Sequence, residues 1–173
     1  MYRNLAHRLR PEIVIGEATP AEREKLRSML SKGAAVLPIE AKAGELATGV
    51  HYLEDGVGIA DGSSFVSLQY VARHGRRVVG STSLGIKDLG GAHEKQFWLY
   101  RFFVALLYRR MGIGELLTEY TVKRAKEFGA LSVFLYVETD NTRAIRTYQK
   151  MKYHIIGVDT VDGSRCFLYE ISL

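Results

Sequence analysis

A single cysteine, Cys166, stands in the 173 residues, which excludes an internal disulfide framework and a zinc site built on several thiolates. Such usage suits a reducing cytoplasm, the expected location. No apolar run approaches the roughly 20 residues that a membrane-spanning helix needs, so a soluble chain with no membrane partner is expected. There is no G-x-x-x-x-G-K-[ST] for a nucleoside triphosphate, and no G-x-G-x-x-G opens a first βαβ unit for a dinucleotide. His74 and His93 fall at turns without a partner at metal-ligand spacing, so no metal is expected. Aromatic and basic residues are not interleaved as in single-strand binders, and the net charge of +5 alone does not indicate nucleic acid.

What is present is globular: 47% apolar and 25% charged residues with three prolines. The length fits one domain over 1–173, able to bury roughly two-thirds of its unfolded surface. MYRNLAHRLR carries three arginines and no acid, as a transit peptide does, but no secretory apolar core follows, and residues 1–11 read as a solvated N-terminal arm.

The chain is organised around Tyr100 to Gly114, YRFFVALLYRRMGIG. Leu99 to Leu107 is apolar or aromatic apart from Arg101, the pattern of a strand covered on both faces. At Arg109-Arg110-Met111-Gly112-Ile113-Gly114 the pattern changes to two cations and two glycines. A helical periodicity follows through Ile113, Leu116, Leu117 and Tyr120. A helix N-terminus has amides without internal acceptors and the positive end of the peptide dipoles, so it attracts anions. With close-approach glycines and two arginines, this turn reads as a pyrophosphate site. An ordinary strand-to-helix turn with glycines chosen for packing is the alternative reading.

Around it, Glu12 to Glu17 alternates as a first strand. Thr19-Pro20-Ala21-Glu22 then makes a capping box for a helix to about Lys32, with Leu26, Met29 and Leu30 inward and Gly33 ending it. A second helix is expected from Pro38 to about Leu53, and Glu54 to Ser64 as an exposed loop. Phe65 to Ala72, Arg77 to Ile86 and the strand from about Lys95 predict an antiparallel meander. Leu131 to Val137 reads as a central strand parallel to the one before the glycine turn, through a βαβ crossover. Asp140-Asn141-Thr142 caps a further helix with Ala144, Ile145, Tyr148 and Met151 on one face, and a hairpin around Asp162-Gly163 closes the chain. By position alone, Tyr148 reads as a core aromatic.

The glycine turn after a strand, followed by a helix, an apolar strand and Asn141-Thr-Arg-Ala144-Ile-Arg-Thr-Tyr148, resembles the GNAT acyltransferase superfamily over about Trp98 to Gly157. The resemblance implies an α/β fold. Its central, mostly antiparallel mixed sheet would have six to seven strands, splay between two parallel central strands, and carry about four helices. Acetyl-CoA would lie in the cleft as cosubstrate, opposite an amine acceptor. Backbone groups of Phe103 and Val104 would pair with its pantetheine arm, and the turn from Arg109 and Arg110 through Met111, Gly112, Ile113 and Gly114 to Glu115 would hold the pyrophosphate. Asn141 would bind the pantetheine or order the strand end, and Tyr148 would donate a proton to the departing thiolate. The family reaction is direct attack of an amine, with an oxyanion held near Val104 and no covalent enzyme intermediate. Cys166 then reads as an inert thiol.

A lysine-like amine with a pKa of about 10.4 must lose a proton before it attacks. Where histone-type members carry a glutamate the chain has Trp98, and where ribosomal-protein N-terminal acetyltransferases carry one it has Tyr136. Glu138, two residues on, and Glu94 are the carboxylates nearby. Glu138 is the candidate base, beside a water chain or an acceptor that arrives neutral. Leu106 and Lys152-Tyr153 also depart from the family's usual Pro and Gly-Phe. The leading reading is an acetyl-CoA-dependent N-acetyltransferase acting on a primary amine of a small molecule or protein. The alternative is a non-catalytic acyl-CoA-binding or regulatory domain. The acceptor and the oligomeric state, a homodimer among the options, stay open.

Overall fold

The computed structural model describes residues 12–32, 57–60, 63–88, 95–161 and 163–173. The strands are β1 (Ile13–Glu17), β2 (Val57–Ala60), β3 (Ser63–His74), β4 (Arg77–Asp88), β5 (Lys95–Val104), β6 (Ser132–Glu138), β7 (His154–Val161) and β8 (Ser164–Ser172). The helices are α1 (Pro20–Lys32), α2 (Ile113–Glu127) and α3 (Thr142–Lys150), with a 3-10 turn at Leu106–Tyr108.

All eight strands join one mixed sheet, in the order β1-β3-β4-β5-β6-β8-β7 with β2 also on β3. The fold class is as expected from the sequence, with one strand more. The extra strand, β2, comes from the stretch read as an exposed loop: Val57–Ala60 pairs antiparallel with Ser63–Val66. The expected helix from Pro38 to Leu53, residues 1–11, Glu94 and His93 lie outside the described residues, and with them any fourth helix.

β3 and β4 are the long central hairpin, twelve residues each, and β5 completes the meander. α2 then crosses over to β6, which runs parallel to β5. Clusters of apolar side chains place the helices. Tyr70, Leu84, Phe97, Leu99, Val133, Leu135 and Tyr169 form the main core, which α2 covers with Ala125 and α3 with Tyr148. Ala18, Leu26 and Val71 form a smaller cluster under α1. Val71 alternates with Tyr70 and Ala72, so α1 lies on one side of the sheet and α2 and α3 on the other.

α1 is fixed at its start by the predicted box. The Thr19 amide donates to Glu22 Oε2 at 2.8 Å and the Glu22 amide to Thr19 Oγ1 at 3.3 Å. Arg73 on β3 then reaches Glu22 with two bonds, Nε to Oε1 at 2.7 Å and Nη2 to Oε2 at 2.6 Å, and also donates to the Glu17 carbonyl at 2.8 Å. This fork lowers the Glu22 carboxyl to about 2, chiefly through the Arg73 hydrogen bonds. One side chain thereby ties β1, α1 and β3 together.

Candidate active site

β5 ends three residues earlier than the apolar run implies. The Ala105 amide donates to the Val79 carbonyl at 2.9 Å, and the chain then turns into the 3-10 segment. Leu106 and Leu107 are 72% and 83% exposed, so this part of the run is apolar without being covered. Within β5 the alternation is broken. Arg101 has φ +52°, and the β4 register jumps from Ser81↔Phe103 to Ser83↔Tyr100, which sets Arg101 and Phe102 together against Thr82. This is a β-bulge, which bends the strand and re-aims the side chains beyond it. Without it Phe102 would share a side with Trp98 and Tyr100. With it Phe102 joins Phe97 and Leu99 on the α2–α3 side.

The parallel β5–β6 ladder registers only at Trp98↔Phe134. Beyond that pair the two strands diverge, and from Leu99 to Val104 the ladder of β5 continues on its β4 side. The opening ends at the start of α2. Arg109 folds back, its Nε donating to the Val104 carbonyl at 3.0 Å, which pins the turn to the end of β5. Arg110 has φ +65° and is exposed, as is Met111.

The two glycines do different work. Gly112 is the N-cap of α2 at φ +80°, a backbone state that costs other residues about 1 kcal/mol or more. Having no side chain, it leaves the amides of Ile113, Gly114 and Glu115 at the first helical positions without a side-chain acceptor. At Gly114 a Cβ would sit 3.2 Å from Phe102 Cζ, so that glycine makes room for a ring of the core. The packing reading is therefore right for Gly114, and the anion reading fits Gly112. Ile113 is 1% exposed and anchors the helix with Leu117, while Leu116, expected inward, is 39% exposed. The Glu115 carboxylate is engaged by Lys150 of α3 at 2.7 Å, an ion pair between the two helices.

Asn141 opens α3, its Oδ1 accepting from the Ala144 amide at 3.1 Å. Its oxygen therefore caps the start of the helix. Tyr148 lies two turns further along α3, 7% exposed, with its ring edge-on to Phe102 at 6.5 Å and to Tyr153 at 5.4 Å. Burial pushes its phenol far above the usual value, so the hydroxyl stays protonated. The hydroxyls of Tyr153 and Tyr169 in the same cluster are buried without a hydrogen-bond partner. Phe102 thus links the α2 turn, through Gly114, to Tyr148. Of the residues expected at the site, contacts tie Arg109 to Val104, and Gly114 through Phe102 to Tyr148, while Asn141 stands at the start of α3.

Glu138 stands apart from these, at the end of β6 on the opposite side of the sheet, paired in register with Cys166. Cys166 is buried and free of disulfide. On that side Trp98 stacks on Tyr136 at 5.4 Å and 22°, and Phe134 tilts against Trp98 at 5.4 Å. The bulge, the aromatic stack and the early end of β5 escape a reading by periodicity. The only sequence trace of the bulge is Arg101, a lone charge in an apolar run. Among the described residues no group of three His, Cys, Asp or Glu is placed to hold a metal, and no helix is long and apolar enough to cross a membrane.

Residues 41–153 match the model of the acetyltransferase (GNAT) family. No curated protein matches the chain. Among solved structures, Naa50 of Arabidopsis thaliana in complex with the bisubstrate analogue CoA-Ac-MVNAL aligns over 93% of this chain and 99% of its own, at 15% identity and TM-score 0.66. Arabidopsis thaliana NAA60 in complex with acetyl-CoA aligns over 93% and 98%, at 17% identity and TM-score 0.65. An IAA acetyltransferase from Bacillus cereus aligns over 94% and 100%, at 18% identity and TM-score 0.60. At these identities the likeness concerns the fold.

Proposed function

The chain belongs to the acetyltransferase (GNAT) family, and from that premise we propose that it is an acetyl-CoA-dependent N-acetyltransferase acting on a primary amine. The observation that carries this reading is the conjunction of a β5 edge that parts from β6 beyond Trp98 with an uncapped helix start at Gly112. An extended pantetheine needs the first and a pyrophosphate the second.

Acetyl-CoA supplies an acyl carbon activated as a thioester. The chain's own residues do the rest. Amides of Ile113, Gly114 and Glu115, with the cations of Arg109 and Arg110 near them, hold the pyrophosphate. Arg109, bonded to the Val104 carbonyl, fixes the angle between that turn and the strand edge. Backbone groups of Phe103 and Val104 orient the arm. Tyr148, kept protonated by burial, donates its proton toward the sulfur position.

Trp98 and Tyr136 at the two positions where a base would stand favour a second reading, an acyl-CoA-binding domain without turnover. Calorimetry with acetyl-CoA and a transfer assay over a panel of amines separate the two. Binding with transfer to at least one amine is expected; binding with no transfer to any amine overturns the enzyme reading.

A further inference from the structure

The side of the sheet away from α2 and α3 has its own chemistry. If the cofactor arm enters with the helices, the acceptor must reach the β5–β6 opening from this opposite side. Strand register places the residues there. Tyr136 pairs with Leu168, Glu138 with Cys166, and Cys166 in turn with Asp159 of β7. Directly opposed residues point to the same face, so Trp98, Tyr136, Glu138 and Asp159 share one side.

Three observations define what this surface would accept. The Trp98–Tyr136 stack and Phe134 are only half-buried, so part of this aromatic surface across the two parallel strands is accessible. Tyr136 extends over β8 to donate from its hydroxyl to Asp159 Oδ2 at 3.2 Å, which places a carboxylate at the far end of the aromatic row. Burial and the Asp159 carboxylate together push the Tyr136 phenol upward and keep it a donor. Ser83, opposite Tyr100 on the same side, is 1% exposed with a hydroxyl that has no hydrogen-bond partner, a polar atom at the near end of the row. Arg101 already lies over the Tyr100 ring at 5.7 Å, a cation on an aromatic face next to the opening. Register also brings Glu170 to this side, where the acids Glu138, Asp159 and Glu170 stand with the cations Arg101 and Lys87.

Resting on the acetyltransferase reading, we propose that the acceptor is a small aliphatic dication, whose second ammonium is seated between the Trp98–Tyr136 rings and the Asp159 carboxylate while its neutral amine reaches the β5–β6 opening. Ring faces attract a cation through their quadrupole, and the carboxylate fixes where it stops. An ammonium held there stays protonated and is no nucleophile, so the attacking amine must be a second one. From the opening to β7 is about two and a half strand spacings, roughly 12 Å, close to the extended length of 1,8-diaminooctane.

Trp98 is the one tryptophan of the chain, so its fluorescence reports the seat directly, whether or not turnover occurs. The probes are 1,8-diaminooctane, 8-amino-1-octanol and 8-aminooctanoic acid, matched in length and differing in the charge of the far end. Saturable change of Trp98 emission is expected with the diamine at a concentration at least tenfold below the amino alcohol, with the amino acid weakest. Asp159→Asn should abolish that tenfold preference while the thermal midpoint stays within a few degrees. Equal response to the three probes, no response to the diamine, or a preference that survives Asp159→Asn overturns the seat. Acetyl transfer to the same probes reports separately on the reaction. A diamine that binds by fluorescence and is never acetylated leaves the seat standing and removes the enzyme reading.

Discussion

The three described helices begin at three chemically different turns, and the contrast bears on where an anion could bind. α1 begins with Thr19 and Glu22 satisfying each other's amides, and α3 with Asn141 accepting from Ala144. α2 begins with Gly112, which has no side chain to offer its first turn. Exposed amides carry the same demand in every case. Two helices meet it with their own side chains, and the third, at Gly112, has no side-chain cap. The uncapped start is also the one that comes after a strand edge parted from its neighbour.

The largest effect is expected from closing the open start with the wrong charge. Gly112→Asp combines a strained left-handed backbone with a carboxylate at the pyrophosphate position, and should weaken acetyl-CoA binding by more than about 100-fold, or about 2.7 kcal/mol. Gly112→Asn tolerates the same backbone without the charge and should stay within about tenfold of wild type. Calorimetry reads both, and unchanged affinity for the Asp variant would refute the assignment of this turn.

Tyr148 belongs to a self-capped helix yet its ring meets Phe102 of β5, so Tyr148→Phe asks whether α3 contributes chemistry or packing. Turnover should fall by about 100-fold with the acetyl-CoA Kd changed less than about threefold. A rate equal to wild type would leave Tyr148 as a core ring only.

At the α1 start the expected loss is one of stability. The depressed Glu22 carboxyl contributes to folding above about pH 4.5, its ordinary value, and that contribution disappears as pH falls toward about 2. With both side chains about a fifth exposed, solvent screening reduces it to roughly 2 kcal/mol. Glu22→Gln should lower the urea-unfolding free energy by that amount at pH 7, still show a deficit at pH 3, and match wild type near pH 2. A constant gap across that range would mean that the Arg73 fork is not its source.

The smallest effect belongs to the start of α3. Asn141→Ala should cost about 1 kcal/mol in the same unfolding assay, and Asn141→Ser, which can still cap, a few tenths. If Asn141→Ser keeps stability but loses acetyl-CoA affinity by calorimetry, the Asn141 amide also touches the cofactor.

Much of this is legible in residue order, because the forces involved are local. The α1 box, the Asn141 cap, the stripe Ala144, Ile145, Tyr148 and Met151, and the closing hairpin each depend on neighbours within a few positions. Apolarity alone is a poorer guide to burial. Leu106 and Leu107 are apolar yet exposed, Leu116 faces outward, and Val57 to Ala60 pairs as a strand within a Gly- and Ser-rich stretch. The roles of Gly112 and Gly114 are not separable in one dimension, since only the position of Phe102 reveals that Gly114 yields to a ring.

By itself, then, the sequence determined the order of elements, the helix starts and the glycine turn after a strand, because capping, periodicity and backbone preference act over one turn of chain. Only the tertiary structure decided that β5 and β6 part after Trp98, that a bulge at Arg101 sends Phe102 toward Tyr148, and that Tyr136 meets Asp159 across a strand. Those features arise from register between strands distant in sequence, where a shift of one residue moves a side chain to the other face.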